Sequence, residues 1–448
     1  MLDSIKKYKF DQNFLIQILF NIFPLIMLMP SAFINFYLAT FIIYSYIFLF
    51  INKIKIKIFF TDYFLFIFFV SSVISTIIGN KSTDYIIIAK SFADTRFFLL
   101  FLLIRNLFYY KLIKLNNLLK LSFLTTVFLS LDIFLQFYSG KDIFGFPEMN
   151  GRYGGVFHDE AIAGSYIQKF SLLAILATFY LKYKNISNKV LFIFLIIAIL
   201  GTGILMTLDR IPFFIYILSL FILLILIKSH KKIFCLSIII ITLLFFLFYE
   251  NSNQVKNRYK PAFNFVKVIL FHSSDFIESN QALDKQKLSL KEKTMYTGIE
   301  YYLLFDSALY TFKNNFWLGS GRKSYYKSCD ALRKYKDDLL CAPHTHNIYL
   351  EILISQGAIG MIFFLSFLII IFKKNYYDFF VYRKVKADEV LILKNFLLVL
   401  LALEIWPLRP HGNIIQTVSG TVFWFLISVA SSKLTIKKLN FNKLKKIF

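Results

Sequence analysis

The sequence predicts an all-α, polytopic integral membrane protein, and three observations lead there. Of 448 residues, 58% are hydrophobic and 19% aromatic, with 56 Phe, while only 17% are charged. A soluble domain runs near ~45–50% apolar and about 25% charged, so a water-facing fold could not hide this surplus. The apolar residues fall into about twelve runs, each near the ~20-residue length that crosses a bilayer. The net charge of +25 sits in short clusters between those runs. That pattern is membrane topology rather than a nucleic-acid footprint. A soluble enzyme, a nucleic-acid binder and a disordered chain are excluded at this level.

The expected spans are 13–29, 32–51, 58–78, 85–104, 118–138, 160–181, 190–207, 211–228, 233–249, 347–372, 390–407 and 414–431. The first is read as a retained span, since it lacks a small-residue cleavage site. The fourth is the least regular: Lys90, Asp94 and Arg96 interrupt it, and either line a polar path or pair with one another. Basic clusters at Lys53–Lys57, Arg105–Lys114, Lys182–Lys184, Lys228–Lys232 and Lys373–Lys386, and the tail from Lys433, mark every second connection. The connections between them are nearly neutral, so both termini are expected in the cytoplasm. Three parts follow: 1–249 with nine helices, 250–346 as one large outward loop, and 347–448 with three more helices and a basic tail.

Residues 139–159 form a modest outward loop, and residues 250–346 a large one that should fold as a cap. Apolar residues at Tyr301, Leu304, Phe305, Ala308, Leu309 and Phe312 have helical spacing, which predicts a helix over 300–316. Cys235 lies in a span. Cys329 and Cys341 share the large loop, where they either form a disulfide in an oxidising compartment or remain two thiols.

The sharpest pattern is Pro343-His344-Thr345-His346-Asn347, followed by Gly357 and Gly360, where the large loop enters a span. It places an imidazole and a carboxamide at the membrane–water boundary. A neutral imidazole is the usual general base near pH 7. The alternative is a solvated histidine with Asn347 capping a helix. Gly357 and Gly360, three apart, would let a neighbouring helix approach closely. His344 and His346 would be zinc ligands only with a partner such as His158 or His411, and the outward loops carry no Asp-x-Asp clamp for a diphosphate-bound metal.

Written as H-N-x9-G-x-x-G after a long outer loop, this pattern resembles that of the O-antigen ligase and O-antigen polymerase superfamily. The resembling core covers about residues 190–372. Asn314–Gly321 looks like the family's G-x-G segment, and Thr207–Arg210 resembles its arginine at the outer end of a central span. Arg152–His158, with Gly164 behind it, resembles an earlier outer-loop arginine segment. One departure stands out: Tyr296–Glu300 lacks the arginine that often precedes the loop helix, which leaves its role to Lys293 or Arg322.

The resemblance implies an all-helical membrane glycosyltransferase with its site at the periplasmic face of the bacterial inner membrane. Its donor would be a glycan on undecaprenyl diphosphate and its acceptor lipid A-core, with no cofactor, no metal and no nucleic acid. His346 would be the catalytic base in an inverting transfer. Arg210, Arg152 and Arg322, with His344 and Asn347, would bind substrate. Arg210 alternatively pairs with Asp209 or snorkels to head groups. Glu404, Arg409 and His411 would line the same cavity. The same fold would serve a polymerase or an enzyme that glycosylates protein hydroxyls. A lipid-linked glycan flippase would need internal repeats and broken mid-membrane helices, which the sequence does not display. The H-N-x9-G-x-x-G form favours the ligase.

Overall fold

The computed structural model describes residues 13–79, 85–149, 151–158, 160–180, 186–260, 263, 300–336, 339–384, 388–407, 409 and 413–432. Lys293, Tyr296–Ile299, His411 and the tail lysines lie outside them. After a short helical stretch ending at Phe23–Ile26, the chain forms α1 (Ser31–Ile51), α2 (Phe60–Gly79), α3 (Tyr85–Ala93), α4 (Arg96–Tyr109) and α5 (Asn116–Ser139). Then come α6 (Ala163–Tyr180), α7 (Ile186–Met206), α8 (Arg210–Leu226) and α9 (Lys231–Asn251). The loop contributes α10 (Glu300–Asn314) and α11 (Tyr325–Asp330), and α12 (Ile348–Lys384), α13 (Asp388–Glu404) and α14 (Thr417–Ser431) follow. Among the described residues no strand forms, and isolated bridges pair only Lys141 with Pro147 and Met149 with Arg152.

Among the described residues, six helices are long and apolar enough to cross a membrane: α1, α2, α5, α7, α9 with its preceding turn, and 348–377 of α12. Helices α8 and α14 are apolar but shorter. Each expected run is helical over most of its length, and charged groups mark where a run departs from a plain span. The 85–104 run breaks between α3 and α4 at Asp94, whose carboxylate is taken by Arg322 of the large loop at 2.5 Å. The 160–181 run is α6, which carries Lys169 4.0 Å from Glu404 at the end of α13. Such groups, costly in hydrocarbon, are paired inside the bundle.

One apolar core joins the bundle. Trp424 of α14 is fully buried among Phe68, Phe69, Phe367 and Phe423, and its indole donates to the Ile414 carbonyl at 2.9 Å. Large apolar side chains also point outward, with Phe36 73% and Phe50 85% exposed. A soluble protein rarely exposes contiguous apolar surface of this kind; in a bilayer it faces lipid. The protein is a multi-pass membrane protein.

A second cluster, made by Leu304, Ala308, Tyr325, Cys329 and Leu339 with Ile354 of α12, is the core of the cap. Cys329 and Cys341 are joined in a disulfide with Cα atoms 5.6 Å apart.

Candidate active site

Helix α12 is broken near its start. Gly357 has φ 69° and ψ −165°, far from helical values. A break frees backbone groups that must find partners where water is excluded. Segment 316–321 supplies them. Ser320 N donates to Ile354 O at 2.7 Å and Gly321 N to Ser355 O at 3.0 Å. In return, Ala358 N donates to Phe316 O at 2.8 Å and Ile359 N to Trp317 O at 3.3 Å. Helix α2 closes the junction: the Ser75 hydroxyl donates to Ser355 O, and Thr76 accepts from Arg322 N at 3.1 Å. A Cβ at Gly357 would strike the Trp317 carbonyl, and one at Gly319 the Gly357 nitrogen. The glycines therefore admit a loop rather than the neighbouring helix expected from their spacing. At Gly360 the nearest atoms belong to the Gln356 side chain of its own helix. Helical periodicity could not reveal this, because the helix bends at the first glycine.

This junction fixes the start of α12, and with it the histidine segment. Asn347 Oδ1 accepts from Tyr349 N at 2.9 Å and Leu350 N at 3.2 Å, a helix cap. Its Nδ2 donates to Pro407 O at 2.6 Å. Thr345 donates to Glu351 through both N and Oγ1 at 3.3 Å, and Asn413 donates to the other Glu351 oxygen at 2.9 Å. The loop between α13 and α14 thus braces the segment from the opposite side. His346 is held at φ 54°, the left-handed region that a non-glycine residue occupies only when its surroundings impose it. The His344 and His346 rings lie 3.9 Å apart. Burial, and secondarily the neighbouring His344, push His346 down to about 4, and burial lowers His344 as well. Both imidazoles are neutral at pH 7 and able to accept a proton.

A second constellation forms where α7 turns into α8. Leu208 takes φ 60°, and Asp209 precedes the first turn of α8, where Pro212 is tolerated because that turn needs no intrahelical donor. Gly164 permits this approach: a Cβ there would meet Thr207 and Asp209. Arg152 Nη1 lies 3.3 Å from Asp209 Oδ1, and its loop is tied to α7 by Tyr153 N donating to Thr207 O at 3.3 Å. Arg258 Nε donates to Leu208 O at 3.3 Å. Burial raises Asp209 to about 6 even though Arg152, Arg258 and Arg210 all pull it down. Arg258 is lowered, first by burial and then by repulsion from Arg152 and Arg210. Three guanidinium groups share one carboxylate, a local charge of +2 when all are ionised. Such a cluster suits a phosphate or diphosphate.

Two cavities are lined by sequence neighbours of these groups. One, of about 440 Å³, runs from Ile211, Pro212 and Ile215 beside Arg210 to Lys169 and Arg409. The other, of about 450 Å³, is lined by His344 and Glu351. Gln416 lines both.

Residues 192–365 match the family model described as O-antigen ligase. Over this stretch the chain is similar to the O-antigen ligase domain, which supports that superfamily. No curated protein matches the chain. The domain runs from α7 to the first half of α12, close to the expected 190–372, and contains Arg210, Arg258, the G-x-G segment and the histidines, while Arg152 precedes it. It supports a membrane glycosyltransferase of the O-antigen ligase and polymerase superfamily.

Of the residues singled out in the sequence, Arg152 pairs with Asp209, and Arg210 lies close enough to that carboxylate to act on it electrostatically. Arg322 is placed elsewhere, with its Nε and Nη2 at 2.5 and 3.3 Å from the two Asp94 oxygens. Asp94 is thereby paired from outside its own run, while Arg96 lies over the Phe97 ring. Glu404 pairs with Arg409 at 2.9 Å, and Arg409 reaches Gln168 at 2.9 Å and the first cavity's wall. The His158 ring packs edge-on against Phe146 at 4.2 Å. Among the described residues no three of His, Cys, Asp and Glu come together as metal ligands. Arg258 was missed: it lies in a stretch without obvious period. A signal was present in Val255 and Tyr259, four apart and both buried, which carry a helical turn beyond Ser252 and present Arg258 beside Asp209.

Proposed function

We propose that the protein is an O-antigen ligase-like glycosyltransferase that moves a glycan from undecaprenyl diphosphate to lipid A-core at the periplasmic face of the inner membrane. The observation that carries this reading is the pairing of a neutral, rigidly held His346 with a separate cluster of Arg152, Arg210 and Arg258. The two answer the two charge problems of the reaction. His346 takes the proton of the acceptor hydroxyl as its oxygen attacks the anomeric carbon. The bond from that carbon to the diphosphate oxygen breaks, and its electron pair leaves with the lipid diphosphate. The arginines stabilise the charge that builds there, and displacement from the opposite face inverts the anomeric centre. The first cavity, apolar beside Arg210, suits the lipid end of the donor, and the second suits the acceptor.

Transfer from purified lipid-diphosphate glycan to lipid A-core tests the proposal. His346→Ala should lower turnover by about 10²–10⁴-fold, as loss of a general base does, with folding unchanged. For the native protein, kcat/KM should hold on the acid side down to about pH 4, where His346 of the free protein takes up a proton. Full activity of His346→Ala removes the base from the scheme. Elongation of the lipid-linked glycan with no lipid A-core product assigns the same site to polymerisation.

A further inference from the structure

The cavity over His344 has a wall that the transfer chemistry does not require. Lys323, Tyr326 and Lys327 form it, and His344, Asn413 and Gln416 line the same space. Its volume of about 450 Å³ falls in the ~300–1,000 Å³ range of ligand sites. Among the described residues neither Lys323 nor Lys327 has an ion-pair partner, whereas Arg322, Arg333 and Lys336 of the same loop each have one. The carboxylate in this wall, Glu351, has both oxygens occupied by Thr345 and Asn413. Two ammonium groups against one engaged carboxylate leave the cavity cationic. Tyr326, 49% exposed, adds a flat ring with a polar edge, a surface suited to the apolar face of a sugar.

These lysines are not loose surface charges. Lys323 is held at φ 53° between Arg322, fixed by Asp94 and Thr76, and Ser324, whose hydroxyl donates to Gly321 O at 2.7 Å. Lys327 follows one turn later in α11. Two residues on, Cys329 is tied to Cys341, three residues before His344. The Tyr325 hydroxyl adds a second tie, donating to Leu340 O at 3.0 Å. The disulfide thus sets both lysines and the histidine pair into one frame, which cuts the ordering cost of binding.

We propose that this cavity takes an anionic acceptor: Lys323 and Lys327 hold a phosphate or carboxylate group on the acceptor sugar while Tyr326 packs against its ring, which presents a hydroxyl to His346. The proposal rests on the glycosyl-transfer reading, but its binding step does not need turnover.

Binding is therefore measured first, on the full-length protein in nanodiscs without donor. The probes are core oligosaccharide freed of lipid, the same oligosaccharide dephosphorylated, and the same with carboxyl groups reduced. The double variant Lys323→Gln/Lys327→Gln should bind the untreated probe at least tenfold more weakly, and the difference should shrink in high salt. Whichever treated probe lacks the recognised anion should bind wild type and variant alike, which separates phosphate from carboxylate. In the transfer assay the variant should raise acceptor KM by a similar factor, with kcat within twofold and donor KM unchanged. Equal binding of the untreated probe by wild type and variant overturns the proposal, as does an equal loss on all three probes. A tenfold binding loss with no transfer by wild type retains the anionic site and overturns the transfer reading instead.

Discussion

Replacing Gly357 by Ala isolates the junction that sets the histidine segment. The φ of 69° with ψ of −165° lies in a region that is essentially glycine-only, which costs about 1–3 kcal/mol for any other residue. A Cβ would also meet the Trp317 carbonyl and, at 2.6 Å, the Leu318 nitrogen. These are backbone atoms that cannot rotate aside, so overpacking adds about 1–3 kcal/mol. The two terms together give about 2–6 kcal/mol, enough to expel segment 316–321 and strand the four backbone hydrogen bonds it makes with α12. Gly140→Ala is the control. It has φ 81° but nothing within 4 Å of the new methyl, so only a backbone cost of about 1–2 kcal/mol applies. Thermal unfolding in detergent, with proteolysis of the cap as a second readout, should show Gly357→Ala destabilised well beyond Gly140→Ala and the cap cleaved faster. Transfer activity should fall with it, since Arg322, Lys323 and the start of α12 all hang from this junction. Equal thermal shifts for the two variants, with an intact cap, would refute the reasoning.

The arginine cluster makes two further predictions. Arg258→Ala should raise the donor KM and lower kcat by roughly 10- to 100-fold together, as loss of a charge-assisted bond of ~1.5–3 kcal/mol does. Arg258→Lys should recover only part of this, since a point charge cannot reproduce forked contacts; wild-type kinetics for Arg258→Ala would exclude it from the donor site. Asp209, raised to about 6, is about nine-tenths ionised at pH 7, and a diphosphate bound to the same arginines would raise it further. Donor binding should therefore take up protons near neutral pH, read by calorimetry in buffers of different ionisation enthalpy, and Asp209→Asn should abolish that uptake; release of protons, or no linkage, would contradict a shared anion site.

The helical, membrane-spanning nature of the chain was legible because hydrocarbon imposes a single rule: long apolar segments with every backbone group paired. His346 and Arg210 stood out as candidates because a short motif and a span-ending arginine contrast with apolar neighbours. Long-range pairing was not. Nothing near Arg322 in sequence announces Asp94, which lies 228 positions away, and the two look equally suited to ligand binding until they meet. Gly357 and Gly360 read as a helix-packing pair because spacing assumes an unbroken helix, whereas the chain bends at the first of them. Arg258 was obscured because its significance depends on Leu208 and Asp209, fifty and forty-nine positions earlier.

Backbone breaks account for the arrangement of all these groups. Helix α12 opens at Gly357 to accept the cap segment, the 85–104 run opens at Asp94 to accept Arg322, and α7 reverses through Leu208 to present Asp209 and Arg210. An unbroken helix engages its backbone polar groups along its length and offers only side chains. At a break, carbonyls and amides become available to a neighbouring segment: segment 316–321 takes those of Ile354 and Ser355, and Tyr153 and Arg258 take those of Thr207 and Leu208, whereas at Asp94 it is the carboxylate that Arg322 takes. The cap is therefore joined to the bundle by hydrogen bonds and ion pairs at fixed points, in addition to apolar contact. That rigidity allows an imidazole pair at the start of α12, a trio of arginines around Asp209 and a pair of lysines on the cap to keep a fixed spacing. Two substrates meeting between them would need that spacing, because transfer depends on the acceptor oxygen and the departing diphosphate lying on opposite sides of one carbon.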